Sequence, residues 1–591
     1  MIKKLARSVR EYKTFAILTP LFISLEVAME VVIPRLLAVM IDNGVEKGNM
    51  GVIYRQGAII LICALVSLLG GALSARFGAV ASTGFAKNLR HDVFRNVQNF
   101  SFDNIDQFST SSIVTRLTTD INNVQMAFQM IIRIAVRSPF MLIFSVVMAI
   151  SINAKVAWVF IVALPLLAVI VFSLATKAHP IFEKVFKSYD EMNRVVQENV
   201  RGIRVVKAFV REEYENKKFR DSSDRIYQLY IKVEKMMAFM SPVMQMISYL
   251  SMLAVCWMGA HLIVGGSMGK GELMSLMTYT MQILSSLMML HMIFIMIIIS
   301  RASAERVCEL LDTKSNIVSP EDPVTEVKDG SIRFHDVDFK YHSESGGYDK
   351  NDPKSRDQLA LKDVTLDIRS GEVIGIIGGT GSSKSTMVQL IPRLYDVTQG
   401  YIEVGGVDVR DYDLNVLRNS VAMVLQKNEL FSGTIAENLR WGNEDATQEE
   451  IEEAARIAQA DDFIREFPDG YETHIEQGGT NVSGGQKQRL CIARALLKKP
   501  KIIIMDDSTS AVDTKTDKRI REAFRKAIPE TTKIIIAQRI ASVQDADRII
   551  VMDNGRINGI GTHEELIRNN DIYREVYESQ QEGDGDFDKA E

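Results

Sequence analysis

The sequence is poor in cysteine, in tryptophan and in unbalanced charge, and these scarcities exclude several classes of protein. Its 591 residues include only four cysteines and three tryptophans. The cysteines, Cys63, Cys256, Cys308 and Cys491, lack the spacing of a metal site or a disulfide framework, so we expect free thiols. The net charge of −5 and the lack of a dense basic stripe argue against a nucleic-acid partner.

Long apolar runs are abundant, and they are unevenly distributed. Runs rich in Met, Leu and Ile fall before residue 313, and from Ile332 onward short apolar segments alternate with charged helical ones. We therefore predict a multidomain chain with an all-α transmembrane domain at 1–312 and a polar, proline-containing linker at 313–330. An α/β domain at 331–580 and a disordered acidic tail at 581–591 complete it.

Six segments are candidates for membrane-spanning helices, each of which needs about 20 apolar residues. They are residues 14–42, 52–80, 140–152 with the preceding turn, 156–175, 237–264 and 272–300. The first follows a basic N-terminus and continues through Ile41, which is too long for a cleaved signal peptide, so we expect it to be retained. The third and fourth are separated only by 153–155, which predicts a tight hairpin.

Two polar stretches between the spans, 84–132 and 176–235, keep helical periodicity but are too charged for lipid. We expect helices that continue beyond the membrane into water, with short connecting segments near 102–108 and 210–219. Because Lys and Arg crowd these stretches and the N-terminus, the positive-inside rule places them in the cytoplasm. The prediction is a multi-pass protein of the cytoplasmic membrane, with both termini and the α/β domain in the cytoplasm.

A glycine-rich loop follows the apolar strand predicted at 373–377 and precedes a helix that begins near Ser385. Such a loop turns backbone N–H groups toward a phosphate at a helix N-terminus. Lys384 is expected to reach the phosphates of a nucleotide, and the Ser385 hydroxyl to hold Mg²⁺. The alternative is a glycine-rich turn with a chance lysine. The loop residues are Gly378, Gly379, Thr380, Gly381, Ser382, Ser383, Lys384, Ser385 and Thr386.

This loop departs from the phosphate-loop pattern at one position. The pattern has glycine immediately before the lysine, and this chain has Ser383. If the position requires a positive φ, serine costs about 1 kcal/mol there, and phosphate binding is weakened rather than excluded.

A second motif is the apolar segment 502–505, which is followed by Asp506 and Asp507. The pattern predicts a buried strand that delivers a carboxylate to its C-terminal edge, where α/β sheets bind ligands. We expect Asp506 to accept Mg²⁺. Many buried strands end in aspartate, so the motif is informative only together with the phosphate loop.

A third motif, Ser483, Gly484, Gly485 and Gln486, opens a helix predicted at 486–497. It predicts a second exposed helix N-terminus able to bind an anion. One nucleotide cannot use two helix ends so far apart in sequence unless they converge. A sandwich, in which this end covers a nucleotide held by another subunit, satisfies that condition. The alternative is an ordinary helix N-cap.

Together these motifs resemble the ABC exporter family, specifically a half-transporter with a membrane domain fused ahead of a nucleotide-binding domain. The resemblance covers nearly the whole chain and implies ATP and Mg²⁺ as ligands of the α/β domain. It also implies that Tyr341 stacks on adenine and that Gln426 contacts Mg²⁺ and senses the membrane domain. The loop from Ser510 to Asp513 is expected to cross a dimer interface, and short cytosolic segments of the membrane domain to dock onto the ATP-binding domains.

Three further positions depart from the family pattern. The residue after the Mg²⁺ aspartate is usually glutamate, the general base, and here it is Asp507; the switch histidine is replaced by Gln538, and a glutamate ahead of the signature by Gln477. Asp507 is one methylene short, and a base misplaced by about 1 Å loses on the order of a hundredfold. Gln538 can donate a hydrogen bond but cannot take a positive charge.

These departures resemble the degenerate subunit of heterodimeric bacterial multidrug ABC exporters. In such pairs one composite site binds ATP but hydrolyses it poorly. The other, built from the partner's phosphate loop and this chain's Ser483-to-Gln486 signature, sustains turnover. The alternative is a homodimer that Asp507 and Gln538 only slow.

Two features of the membrane half bear on cargo. Glu26 and Glu30 lie four residues apart in the first predicted span, so they share one helix face. Ionisable groups there usually face a cavity or a partner. The alternatives are attraction for cationic amphiphiles, pairing with Arg35, and placement near the outer lipid headgroups. The fifth and sixth spans are rich in methionine, which suits either a promiscuous cavity or ordinary helix packing.

The leading functional hypothesis is ATP-driven export of hydrophobic or amphipathic compounds by alternating access. Its partners are a second ABC half-transporter, membrane lipid and the cargo itself. The alternatives are a homodimeric lipid or peptide exporter and an ATP-gated regulatory membrane protein.

Overall fold

The computed structural model describes residues 1–341, 358–508 and 512–583, and the chain divides into two compact units. The helical unit comprises Met1–Gln98 and Thr110–Thr313, and the sheet unit comprises Asn99–Ser109 and Lys314–Glu591. The segment 99–109, which the sequence assigns to the transmembrane domain, therefore packs with the α/β domain.

The helical unit is built from long helices, which in the described residues continue through six prolines, as helices in a membrane tolerate. Short 3₁₀ (Ala6–Tyr12) and π-helical (Met40–Val45, Arg116–Asp120) turns flank them. The helices up to residue 312 are α1 (Ile2–Leu5), α2 (Lys13–Val39), α3 (Met50–Gln98), α4 (Phe102–Gln107, in the sheet unit), α5 (Thr110–Thr115), α6 (Ile121–Ile152), α7 (Ala154–Arg201), α8 (Ile203–Ala208), α9 (Glu212–Val264) and α10 (Lys270–Asp312).

Among the described residues, five helices are long and apolar enough to cross a membrane, and α7 adds the shorter apolar stretch Ala154–Leu167. These segments follow the order of the six predicted spans. Helices α3, α7 and α9 have 49, 48 and 53 residues. At 1.5 Å per residue each is about 70–80 Å long, more than twice the hydrocarbon core of a bilayer. These helices are thus long enough to extend beyond the lipid, as predicted.

The predicted hairpin between the third and fourth spans is present, and Asn153 makes it. The Asn153 side chain accepts hydrogen bonds from the backbone N–H groups of Lys155 and Val156 at 3.0 and 3.3 Å, which caps α7.

The prediction of a connecting segment at 210–219 was wrong. The turn is made by the short helix α8 at Ile203–Ala208, followed by Val210 with a φ of 52°. Helix α9 already begins at Glu212, and its first turn carries Glu212, Glu213 and Glu215, which favour a helix N-terminus. The charged residues after 211 are the start of the next long helix.

The described residues of the sheet unit form two principal sheets and a small antiparallel pair of two-residue strands. Its strands are β1 (Ile332–Phe339), β2 (Leu361–Ile368), β3 (Val373–Gly378), β4 (Gln399–Val404), β5 (Val407–Asp408), β6 (Val421–Val424), β7 (Gly433–Thr434), β8 (His474–Ile475), β9 (Ile502–Asp506), β10 (Thr532–Ile536), β11 (Arg548–Asp553) and β12 (Arg556–Gly561). Its further helices are α11 (Lys384–Leu390), α12 (Leu414–Ser420), α13 (Ile435–Arg440), α14 (Gln448–Ile457), α15 (Asp461–Glu466), α16 (Gly484–Leu497), α17 (Thr514–Ala527), α18 (His563–Asn569) and α19 (Asp571–Gly583).

The larger sheet has the order β12-β11-β3-β10-β9-β6, and every neighbouring pair is parallel except β11 and β12. Strands β9 and β10 are buried along their whole length, as expected for parallel strands covered on both faces. The four-stranded sheet, β2-β1-β4-β5, is antiparallel. Since β3, β9 and β10 point the same way, the residues after their C-terminal ends share one sheet edge.

The predicted linker contains no helix or strand, but it packs against the sheet unit. Ile317 and Val327 are buried, and Val324 forms a bridge with Tyr412. At the other end, α19 continues to Gly583, so the first residues of the predicted tail are helical. Residues 584–591 lie outside the described part of the chain.

Candidate nucleotide-binding site

The phosphate loop connects β3 directly to α11. At Gly378 an added Cβ would lie 2.2 Å from the Met552 carbonyl oxygen, so this position has room only for glycine. Ser383 is the N-cap of α11 and has φ 69° and ψ 26°, the left-handed region. Since this position requires a positive φ, serine is more costly here than glycine.

The Lys384 side chain folds back over its own loop. Its Nζ donates hydrogen bonds to the carbonyl oxygens of Gly378 and Gly379, both at 2.8 Å, and lies 3.3 Å from Ser382 Oγ. Burial lowers the pKa of Lys384, and the nearby Asp506 and Asp507 oppose that shift. A Cβ added at Gly379 would meet no atom within 4 Å, so the loop surface beside the ammonium group is open to a ligand.

A hydroxyl and a carboxylate converge behind the loop. Asp506, the last residue of β9, is 3% exposed, and its Oδ1 accepts a hydrogen bond from Ser385 Oγ at 2.9 Å. Burial raises the pKa of Asp506, an effect that the Ser385 hydrogen bond opposes. Two oxygen donors brought together in this way fit the ligand preference of Mg²⁺.

Asp507 and Gln538 meet because of the strand register. Asp506 pairs with Ile536 across β9 and β10, and the residues that follow lie side by side at the sheet edge. Gln538 Nε2 donates a hydrogen bond to Asp507 Oδ2 at 2.8 Å. Burial raises the pKa of Asp507, while hydrogen bonds from Gln426 and Gln538 lower it. Gln426 is therefore connected to this site by its hydrogen bond to Asp507. The backbone of Asp507, with a φ of 49°, is left-handed like that of Ser383.

Tyr341 packs against α11, the helix that follows the phosphate loop. Its hydroxyl lies 2.9 Å from Thr386 Oγ1, so the predicted adenine-stacking residue contacts α11. Its ring stands perpendicular to that of Tyr395, with 5.3 Å between the ring centroids. Burial raises the pKa of Tyr341.

Sequence reasoning missed Tyr395, which joins this site to the segment 99–109. Tyr395 is 5% exposed, its hydroxyl donates a hydrogen bond to Asp106 Oδ2 at 2.6 Å, and its ring contacts Phe102 edge-on at 5.8 Å. Both partners belong to the α4 segment, which Ser101 caps. No local motif marks Tyr395, because its partner lies 289 residues earlier in the chain.

The signature residues form the N-terminus of α16. Ser483 Oγ accepts a hydrogen bond from Gln486 N at 3.3 Å, and Gln486 Oε1 accepts one from Ser483 N at 2.9 Å, which makes a capping box. Ser483 and Gly484 are exposed. Within the described ranges, no hydrogen bond or ion pair joins these residues to the phosphate loop. The helix end is thus capped and accessible, which fits both the N-cap interpretation and an anion site.

The predicted interface loop is only partly described. Asp513 caps α17 by accepting a hydrogen bond from Thr516 N at 2.9 Å. Ser510 lies outside the described residues.

In the helical unit, the alternative that pairs Glu26 and Glu30 with Arg35 was wrong. Arg137 on α6 bonds both, at 2.5 Å to Glu26 Oε1 and 2.7 Å to Glu30 Oε2. Arg35 lies 3.4 Å from Glu272 instead. Sequence spacing could not find this partner, because it depends on which helix faces α2.

Comparison with known proteins gives two family matches in chain order. Residues 16–288 match the family described as ABC transporter transmembrane region, and residues 361–510 match the family described as ABC transporter. These matches agree with a helical membrane domain followed by an α/β domain.

Several curated proteins are similar to this chain over most of its length. The uncharacterized ABC transporter ATP-binding protein YfiB of Bacillus subtilis is 33% identical over 98% of both chains. The uncharacterized ABC transporter ATP-binding protein Mb1304c of Mycobacterium bovis is 34% identical, again over 98% of both. An ATP-dependent lipid A-core flippase of Desulfotalea psychrophila is 31% identical over 84% of both.

A solved structure shares the fold. The structure of a bacterial Atm1-family ABC exporter with ATP bound superposes with a TM-score of 0.79 over 99% of both chains, at 24% identity. The likeness extends through both the membrane and the α/β parts.

Proposed function

Since this chain belongs to the ABC transporter family, we propose that it is one subunit of a heterodimeric exporter with one poorly hydrolysing ATP site. The chain is a half-transporter, in which a helical transmembrane domain is fused ahead of an ABC nucleotide-binding domain. The cargo of the proposed exporter is a hydrophobic or amphipathic compound, moved out across the cytoplasmic membrane by alternating access.

The observation that carries the proposal is the contact between Asp507 and Gln538. The Asp507 carboxylate is one methylene shorter than a glutamate, and one of its oxygens accepts a hydrogen bond from the Gln538 amide. An amide at this position cannot accept a proton or carry a positive charge. A short carboxylate held by an amide is a poor general base, because such a base must reach its proton within about 3 Å.

The same site retains what it needs to bind ATP. Lys384 and the N–H groups of the loop would hold the phosphates, and Tyr341 would stack on adenine. Ser385 and Asp506, with Gln426, would hold Mg²⁺, which supplies neutralisation of phosphate charge. Ser383 weakens the loop through backbone strain without removing any of these groups. The site is therefore proposed to bind ATP and to hydrolyse it slowly.

The signature, in contrast, has no departure. Ser483 through Gln486 form an exposed helix N-terminus suited to the phosphates of a nucleotide held by another subunit. We assign the active composite site to the partner's phosphate loop and this signature, with Ser510 and Asp513 on the loop between the subunits. The proposal includes a cytoplasmic location for both termini and the nucleotide-binding domain, which the basic residues of the N-terminus and the helix extensions support.

The test is the ATPase rate of the purified chain in lipid nanodiscs, alone and with its cognate half-transporter. Alone, the chain is expected to bind ATP but to turn it over very slowly, because both composite sites would lack a competent base. With the partner, turnover should rise at least about tenfold. Vigorous hydrolysis by the chain alone would contradict the heterodimer and indicate a homodimer.

A homodimeric lipid exporter is the second candidate, favoured by the similarity to a protein named as a lipid A-core flippase. It predicts that the chain alone, reconstituted in vesicles, moves fluorescent lipid between leaflets in an ATP-dependent way. The heterodimer proposal predicts that such movement requires the partner.

A further inference from the structure

A charged triad crosses the helical unit between α2 and α6. Arg137 donates one hydrogen bond to Glu26 Oε1 and another to Glu30 Oε2, at 2.5 and 2.7 Å. All three residues lie in candidate membrane spans. Two carboxylates share one guanidinium group, so the ionised triad carries a net charge of −1. A charge left uncompensated among membrane helices is costly, which makes a functional role the default interpretation.

The two carboxylates have different surroundings. Glu26 is packed against α3, where a Cβ added at Gly71 would lie 3.0 Å from Glu26 Oε2. Its side chain is 12% exposed, whereas that of Glu30 is 35% exposed. Glu26 therefore fixes Arg137 in place, and Glu30 presents the remaining charge.

Glu30 and Arg137 line a pocket of about 240 Å³ between α2, α6 and α10. Its wall also contains Ser138, which is 1% exposed and whose Oγ has no hydrogen-bond partner within the described part of the chain. A buried hydroxyl without a partner is costly unless a ligand or water satisfies it. This is an observation independent of the charge, and it marks the same pocket as a place where something binds.

The rest of the wall is mixed, with three methionines and four polar side chains of α10, of which Thr278 and Ser286 donate their hydroxyl hydrogen bonds back to their own helix. Met141, Met281 and Met289 contribute flexible, polarizable side chains. Gln282 also lines the pocket, and its Oε1 accepts a hydrogen bond from Ser145 at 3.0 Å, which orients the amide. Since an apolar cavity of about 150 Å³ accommodates benzene, this pocket has room for one aromatic ring with a small head group.

From these contacts we propose that the pocket binds a lipophilic organic monocation, whose head group pairs with Glu30 and whose apolar body lies against the methionines. The inference names the class of cargo and so rests on the proposed function. Binding of one positive charge makes the triad neutral, which a neutral or anionic ligand does not.

The experiment uses the full chain in nanodiscs of zwitterionic lipid, with its partner where one is required. The probes are phenyltrimethylammonium and its neutral isostere tert-butylbenzene, and saturable binding above empty nanodiscs is measured by saturation-transfer NMR and competition. We expect the cation to bind at least about tenfold more tightly than the isostere. Equal affinities, or no saturable binding of the cation, overturn the proposal without any variant.

Glu30→Gln is the matched variant, because it leaves Arg137 and Glu26 as a neutral pair. It should abolish the preference for the cation and keep the weak binding of tert-butylbenzene. Glu272→Gln makes the same chemical change at a residue paired with Arg35 and outside the pocket, and it should keep the preference. A preference retained in Glu30→Gln overturns the inference. ATPase rates of the chain alone and of the pair, recorded on the same samples, separate this result from failure of the proposed function. That failure would show as vigorous turnover by the chain alone or as no rise with the partner.

Discussion

The backbone at Ser383 stores strain that a single substitution removes. Its φ of 69° is left-handed, a region where a Cβ costs about 1 kcal/mol relative to glycine. Ser383→Gly should therefore raise the free energy of unfolding by up to about 1 kcal/mol and tighten ATP binding several-fold. Thermal unfolding and titration with a fluorescent ATP analogue measure the two effects.

Gln459→Gly is the matched control for Ser383→Gly. Gln459 also has a positive φ, 56°, but it follows α14 and lies outside the phosphate loop. The control should gain similar stability with no change in ATP affinity. If both variants tighten ATP binding equally, strain in the loop is not what weakens it.

Asp507 and Gln538 should jointly limit the rate of ATP hydrolysis at this chain's own site, since they are in direct contact. The double variant Asp507→Glu with Gln538→His should raise hydrolysis at this chain's own site by on the order of tenfold to a hundredfold. Part of the gain is offset because Asp507 has a φ of 49°, which aspartate tolerates better than glutamate. The rate is measured in the pair, with a partner whose own site is disabled.

Each single variant serves as a control for the double variant. Asp507→Glu alone should gain less, because Gln538 still holds the carboxylate. An unchanged rate in the double variant, with ATP still bound, would locate the block elsewhere in the composite site.

At the residue scale, the sequence predicted the contacts of residues that belong to local motifs. It did not predict the partners of residues that pair with a distant part of the chain. Asp506 and Ser385 meet as a strand end and a loop are expected to meet. Arg137, by contrast, pairs with residues 107 and 111 positions away. Helical periodicity gives the face on which Glu26 and Glu30 lie, but not the helix that covers it.

At the scale of elements, the long helices were predictable and their connections were not. Apolar runs and helical periodicity gave the spans and their extension beyond lipid. The turn at 203–208 was placed too late, because a charged stretch suits both an exposed turn and the first turns of a helix. The acidic residues at the start of α9 were the available signal, since they favour a helix N-terminus.

Helix α4 packs in the sheet unit although the chain on both sides of it belongs to the helical unit, so we expect it to contribute to coupling. Tyr395 holds it through Asp106 and Phe102 while also contacting Tyr341. Tyr395→Phe removes one hydrogen bond to a carboxylate, which costs on the order of 1–3 kcal/mol of docking. We expect basal ATPase activity to persist and transport per ATP to fall.

Tyr401→Phe is the control for Tyr395→Phe. Tyr401 lies on β4, where its ring stacks on that of His335 with 4.3 Å between the centroids. It should leave transport per ATP unchanged, as measured by cargo uptake and phosphate release in the same vesicles. If Tyr395→Phe also leaves that ratio unchanged, the contact with Asp106 does not carry coupling.

At the scale of the whole molecule, the sheet unit presents two helix N-termini that differ in one respect. The phosphate loop departs from the family pattern and is strained at Ser383, whereas the signature matches the pattern. If the signature serves a nucleotide held by the partner, damage to it must stop turnover at a site whose phosphate loop is on another chain. Ser483→Asp tests this, because aspartate caps a helix as well as serine does but places a negative charge where the phosphates are expected.

The heterodimer should lose at least about a hundredfold in ATPase rate with Ser483→Asp, while ATP binding to this chain's own loop is kept. Ser483→Thr keeps a neutral hydroxyl cap and should retain most of the rate, which separates charge from loss of the cap. Both variants should unfold near the temperature of the parent, since α16 stays capped. Full turnover with Ser483→Asp would mean that this helix end faces no nucleotide, and the composite site would have to be abandoned.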